Sequence, residues 1–565
     1  VPLLRKRYRS RLDGSNEHYL LYVPGVKRER YPLLVLLHGF GGDENSMIGE
    51  FVTDLAEKYG YALLSPRGRG NTFYDGVGED DVVETLRRAR RLLPIDDDRV
   101  FLMGVSMGGT GAWRLATRCP DLFAAAVPIC GWADWRLWYR TWYAPEAARN
   151  STPAWRLPLL VRASALPFAE NLLNLPILAM HGGKDSVVSP DESRRMFRRL
   201  RQLGAPVVYK EYARSYHSGF GSRWKAIFNW FEGAKLVSWL ERPLDTFRAG
   251  GALTRVRLPR RVVYATNSVN YSGAYWVRIT QLEAEHTMAR IEAERDGSTV
   301  RVRVRGIRGF RIALPDLSRI VVSGRRLPVR SGSAAVEFRL GAKGWEEGDA
   351  IHSGLEKTAG LAGPIADAFR KPFVIVPGEC ASDRRDAECL RSLWRRWLVP
   401  PGSAASPPLK RPSALTGDDL ARTLVLVGSA ETNSLVRRLR SRLPFTAEGG
   451  GARLGGRFFA GAGLWAIYPS PLAAAAYVLL VHRLPPIRAK DLEGLPWLLP
   501  DFVVFAPGRE CSRTVHPQAR QFYEALERKE IEPPDPLDFP PVYLPDCFLE
   551  AGFFGERWEL PSYLC

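Results

Sequence analysis

Lysine is scarce in this chain: thirteen of its 80 basic residues are lysine, and the other 67 are arginine. The arginines are spread through every region, often beside Asp or Glu, and no long basic block occurs. The net charge of +19 therefore reads as a solvated, ion-paired surface of the kind that favours thermal stability. A nucleic-acid partner is not expected, although the excess charge would still attract acidic polymers. Long apolar runs are also missing. The stretches 31–37 and 472–481 fall short of the roughly 20 residues needed to cross a bilayer, so no transmembrane helix is expected. The seven cysteines contain no CxxC pair and no zinc-like histidine spacing, which argues against a structural metal. Cys380 and Cys389 flank a short polar loop. Two readings stay open, one or two disulfides of unassigned connectivity or ordinary buried thiols. The opening Val1-Pro2-Leu3 has neither Met nor a hydrophobic signal core. A processed chain is expected, secreted or periplasmic.

What is present is a globular composition, 45% hydrophobic and 25% charged over 565 residues, enough for about three to five domains. Residues 1–248 alternate short apolar runs (33–37, 62–65, 100–103, 124–128, 177–181, 207–212) with amphipathic stretches, the pattern of a mostly parallel sheet wound with helices. In 249–345 the period changes to two, as in Thr299-Val300-Arg301-Val302-Arg303-Val304, with a turn at Asp296-Gly297. This predicts a small β-rich domain with Arg301, Arg303 and Arg305 on its solvent face. Residues 346–565 return to strands (373–376, 424–427, 464–468, 477–481, 502–505) mixed with helices such as 386–397 and 432–439. They predict a C-terminal doubly wound, flavodoxin-like α/β domain. It lacks GxGxxG and Walker sequences, so no nucleotide or flavin is expected there. An accessory role in packing, dimerisation or shaping the substrate entrance is expected instead.

Gly104-Val105-Ser106-Met107-Gly108 follows an apolar strand and precedes a helical pattern, the strand, sharp turn and helix of a nucleophile elbow. A serine hydroxyl is a weak nucleophile until a base takes its proton, and that base needs a third group to orient it. The chain supplies His181-Gly182-Gly183-Lys184-Asp185 after one strand and Ser215-Tyr216-His217-Ser218 after the next. Ser106, Asp185 and His217 are thus the candidate nucleophile, acid and base, with Asp191 as the fallback acid. An oxyanion hole should lie after an early strand. His38-Gly39-Phe40-Gly41-Gly42 sits there, which makes the Phe40 and Met107 amides the candidate donors. His38 and His181, each following a strand beside glycine, read as loop-orienting hydrogen-bonders.

HGFGG, GVSMGG, HGGKDSVVSPDESRRM and YHSGF occur in that order. The first 245 residues resemble the α/β-hydrolase superfamily, near polyhydroxybutyrate-depolymerase-like and feruloyl esterases and the catalytic domains of prolyl-oligopeptidase-type enzymes. The stretches 69–74, 274–277 and 431–434 extend the resemblance to multidomain bacterial hydrolases. Gly183-Lys184 departs from the Asp/Ala pair more usual before the acid. The resemblance implies a serine hydrolase without a cofactor.

An insertion near 131–174 carries Trp132, Trp135, Trp138, Tyr139, Trp142 and Tyr143 at helical spacing. It reads as a cap helix. The tryptophans Trp132, Trp135, Trp138 and Trp142 are candidates to line an acyl or aryl pocket over Ser106. The expected activity is that of a serine carboxylesterase acting on a small ester or an ester-bearing polymer. A prolyl-oligopeptidase-like peptidase and a polymer-binding protein with a vestigial esterase domain are the alternatives, and self-association is left open.

Overall fold

Leu33–Leu37 is a run of five aliphatic residues with no solvent exposure, which is what a strand covered on both faces requires. It belongs to β3 (Tyr31–Leu37) at the middle of an eight-stranded sheet. The other strands are β1 (Leu3–Arg9), β2 (Asn16–Tyr22), β4 (Ala62–Pro66), β5 (Ile95–Val105), β6 (Ala125–Ile129), β7 (Ile177–Gly182) and β8 (Val207–Tyr212). Their order is β1-β2-β4-β3-β5-β6-β7-β8. β3 to β8 run parallel, and β2 pairs antiparallel with β4. Helices α1 (Glu50–Tyr59), α2 (Val77–Leu92) and α3 (Met107–Arg118) make the first crossovers. This is an α/β-hydrolase sheet. The computed structural model describes residues 3–137, 154–217, 223–233, 247–249, 251–329, 334–349, 354–400, 403, 405–483, 498–506 and 548–564.

The chain forms two compact units. One gathers Val1–Arg7, His18–Trp135 and Val161–Ile351; the other gathers Tyr8–Glu17, Arg136–Leu160 and His352–Cys565. The β-rich residues lie in the first unit as two five-stranded sheets. In Thr299–Arg305, Val300 and Val302 point inward while Arg301, Arg303 and Arg305 face solvent. Buried polar groups tie these sheets to the hydrolase sheet's helices. The Asn171 amide accepts from Ala265 N–H at 2.7 Å and donates to Thr117 and Ala265 carbonyls at 2.9 and 3.0 Å. The Tyr264 hydroxyl donates to the Arg118 carbonyl, and Asp121 accepts from Tyr275 N–H and Arg278.

The second unit is built on a six-stranded mixed sheet. Phe373–Pro377, Thr423–Val427 and Tyr477–His482 are parallel, as a wound α/β domain requires. Gly463–Pro469, Phe502–Phe505 and Phe548–Gly552 are antiparallel, so the doubly wound pattern covers one half of the sheet. Among the described cysteines, Cys119, Cys130, Cys380 and Cys389 are free thiols. The stretch between Cys380 and Cys389 is a helix rather than a loop, since Ala381–Leu398 is helical with Cys380 as its N-cap. Cys389 lies nine positions after Cys380, about 13 Å along the helix axis, too far for a disulfide.

Candidate active site

Ser106 sits where β5 ends and α3 begins, at φ 57° and ψ −118°. A non-glycine residue rarely holds such a backbone, and the neighbours must make room for it. A Cβ on Gly108 would meet the Leu37 carbonyl oxygen at 2.1 Å, and one on Gly104 would meet the Gly108 carbonyl oxygen at 2.1 Å. Glycine at those positions lets the turn lie against β3. Ser106 N–H donates to the Ile129 carbonyl at 2.9 Å, which ties the elbow to β6.

Two loops complete the arrangement. Ser106 Oγ and His217 Nε2 are 2.7 Å apart, and His217 Nδ1 lies 2.7 Å from Asp185 Oδ2. A carboxylate can accept but not donate, so Nδ1 carries the proton and Nε2 is left to accept from the serine hydroxyl. Asp185 has no side-chain exposure. Burial alone would raise its pKa, but hydrogen bonds from His181 and His217 outweigh burial and hold it well below the usual carboxylate range. Its Oδ1 also accepts the N–H groups of Val187 and Val188 at 2.9 Å each. Asp191, the fallback acid, is exposed and paired to Arg194.

The glycine loop after β3 reaches this turn. A Cβ built on Gly39 would lie 3.6 Å from Ser106 Cβ, which brings the loop carrying Phe40 beside the nucleophile. Gly41 is left-handed at φ 75°, and its N–H donates to Asn71 Oδ1 at 2.8 Å. His38 spans the carbonyls of Gly39 and Arg67 at 2.8 Å each. Tyr74, buried, donates its hydroxyl to the His38 carbonyl at 3.3 Å. The supporting segment is itself strained, with Arg69, Phe73 and Tyr74 at φ 60°, 54° and 52°. Each such residue costs on the order of 1–3 kcal/mol and persists where packing over-determines it. This segment's support of the glycine loop has no local signature in the sequence, since its partners lie some thirty residues earlier.

Trp132 and Trp135 are both buried. Their rings meet at 5.3 Å, each contacts Phe73 (5.3 and 5.4 Å), and Phe73 stacks on Phe40 at 5.6 Å. They form a continuous aromatic wall behind the glycine loop. Trp132 precedes the helical turn that starts at Trp135, so the two do not share a helix face. Trp138 and Trp142 lie outside the described residues. Glu192, which the sequence did not single out, anchors the start of the insertion. Its Oε2 accepts the N–H groups of Ala133 and Asp134 at 3.0 Å each, and burial pushes its carboxyl up to about 8. Among the described residues, Cys130, His181 and Asp185 have donor atoms within 4.8 Å of one another, close enough to hold a metal ion. Burial pushes the Cys130 thiol far above its ordinary value, which disfavours the thiolate a metal would need.

Fold and site together define a serine hydrolase of the α/β-hydrolase superfamily. Residues 57–245 match the prolyl oligopeptidase family. Dipeptidyl peptidase family member 2 of Caenorhabditis elegans is 26% identical over 225 residues, 36% of this chain and 27% of that protein. The bifunctional acetylxylan esterase/xylanase XynS20E of Neocallimastix patriciarum is 29% identical over 126 residues, 21% of this chain and 19% of that protein. The chain thus spans less than a third of either relative's length. Among solved structures, the Staphylococcus aureus fluorophosphonate-binding serine hydrolase F is 17% identical with a TM-score of 0.34, covering 40% of this chain and 97% of that one.

Proposed function

We propose that the protein is a serine carboxylesterase that acts on acyl or aryl esters, carried on a small molecule or on a polymer outside the cytoplasm. The reading of the site as hydrolytic rests on the hydrogen-bonded series Ser106–His217–Asp185, two contacts of 2.7 Å each. His217 takes the serine proton as Oγ attacks the ester carbonyl. The developing oxyanion is met by the amides of Phe40 and Met107, and loss of one such donor typically costs about 2.7–4 kcal/mol. His217 then protonates the leaving alcohol, and water admitted by the same base releases the acid. Asp185 keeps the imidazole in the required tautomer and offsets its charge. The chain's own side chains and amides supply every step, so no cofactor enters the scheme.

The aromatic cluster Phe40–Phe73–Trp132–Trp135 supports esters of acyl or aryl acids, because its partly exposed member, Phe40, presents an apolar face beside the nucleophile. A second reading, a peptidase, draws on the family match and on relatives named as dipeptidyl peptidases. An amide nitrogen must be protonated before it leaves, so efficient peptidases need extended binding that an ester does not. The test compares kcat/KM for short acyl p-nitrophenyl esters and methyl ferulate with that for alanyl and prolyl anilides, corrected for intrinsic reactivity. Esters are expected to lead after correction; faster anilide turnover would select the peptidase.

A further inference from the structure

We propose that His181 and Cys130 are positioning residues for the catalytic acid, forming with two backbone amides a cradle that fixes the Asp185 carboxylate and disperses its charge. The inference rests on the triad reading above and extends it by a second histidine and a thiol.

The proton positions follow from the partners. His181 is fully buried, with Nδ1 2.8 Å from Ser193 Oγ and Nε2 2.9 Å from the Val188 carbonyl and 3.2 Å from Asp185 Oδ2. Both partners of Nε2 are acceptors, so Nε2 carries the hydrogen and shares it between them. Nδ1 must then accept, and the Ser193 hydroxyl donates to it. The Cys130 side chain, just past the end of β6 and without exposure, has its sulfur within 4.8 Å of the Asp185 carboxylate and the His181 ring nitrogen. Burial holds the thiol protonated, so its hydrogen is available to the carboxylate. Asp185 therefore accepts from Val187 and Val188 on one oxygen and from His217 and His181 on the other, with the thiol close beside them.

Two consequences separate this role from simple packing. A carboxylate with dispersed charge stabilises a neighbouring imidazolium less than a bare one, so removal of a cradle donor strengthens that stabilisation. A carboxylate held by four donors and flanked by a thiol also cannot rotate away when the imidazole becomes charged. Among the described residues, the other ionisable groups near the assembly include Tyr209 and Glu211 on β8, which interact electrostatically with Cys130 and His181 respectively, and Lys184 of the acid loop, whose ammonium lies 5.9 Å from the Tyr216 ring centre. None of these is changed in the variants below.

The test is the pH dependence of inactivation of the intact chain by a fluorophosphonate, which reports on the triad whichever ester or amide is the substrate. His181→Phe removes the N–H and His181→Gln restores one at the same end. Cys130→Ala removes the thiol and Cys130→Ser supplies a hydroxyl donor. In His181→Phe and Cys130→Ala the acid limb is expected to move up by about half a pH unit, a fraction of the full effect of a neighbouring charge. The rate at neutral pH is expected to fall roughly tenfold or more, the worth of a hydrogen bond to a charged group. Both quantities should return toward wild type in His181→Gln and Cys130→Ser. An unmoved acid limb in folded variants, even with reduced rates, would overturn the proposal. Should His181→Phe not fold, the Cys130 pair decides alone on the same criterion. Failure of the wild-type chain to react at Ser106 would instead refute the triad reading on which the proposal rests.

Discussion

Asn71 Oδ1 accepts the N–H of Gly41 at 2.8 Å, so a side chain thirty residues downstream fixes the glycine loop that follows β3. The bond orients the loop rather than the substrate. Its loss should loosen the Phe40 amide in the transition state more than it affects ground-state binding.

Asn71→Ala is therefore expected to lower kcat by about tenfold, roughly 1.4 kcal/mol, with KM little changed. Steady-state kinetics on one p-nitrophenyl ester checks this. A raised KM at constant kcat would place Asn71 in substrate binding instead.

The buried Glu192 makes stability depend on pH in a stated direction. Its carboxyl is raised from the usual value near 4.5 to about 8, chiefly by burial. Between those values the unfolded chain has lost a proton that the folded chain retains, so this group's contribution is full below the unfolded value and falls as pH rises toward 8. Glu192→Gln keeps an acceptor for the Ala133 and Asp134 amides but cannot ionise. Melting temperatures from pH 5 to 9 should show the variant gaining on the wild type as pH rises. A constant difference across that range would refute the assignment.

Asn171 joins the β-rich sheets to the hydrolase sheet's helices through three backbone groups. Asn171→Ala would leave those buried groups without their partner and is expected to cost about 2–4 kcal/mol of stability. A chemical denaturation midpoint indistinguishable from wild type would show that the junction does not bear on the unit's stability.

The hydrolase portion was legible because its chemistry leaves marks in local sequence. A strand buried on both faces must be continuously apolar, as Leu33–Leu37 is, and the elbow needs small residues on either side of Ser106. The order of Ser106, Asp185 and His217 then pairs each residue with the end of a strand. What was missed lacks a local signature. Nothing around Glu192 or Cys130 announces that its partner lies in a distant segment. Strand direction in the C-terminal sheet did have a signal: seven residues link Gly463–Pro469 to Tyr477–His482, too few for a parallel crossover of a dozen or more. The helix expected over 386–397 begins earlier, at Ala381, because the charges that follow Cys380 hide the first turns of its helical period. Trp132 and Trp135 were placed on one helix face from their spacing alone, but the chain between them is not yet helical at Trp132.

The central claim, that Ser106 is the nucleophile activated by His217, is tested most directly by mass-spectrometric mapping of a fluorophosphonate adduct on the full chain. The account predicts one adduct, on Ser106, absent from Ser106→Ala and formed orders of magnitude more slowly in His217→Ala, with ester hydrolysis lost in parallel. Labelling of a different serine, or a Ser106→Ala chain that still hydrolyses esters, would contradict it.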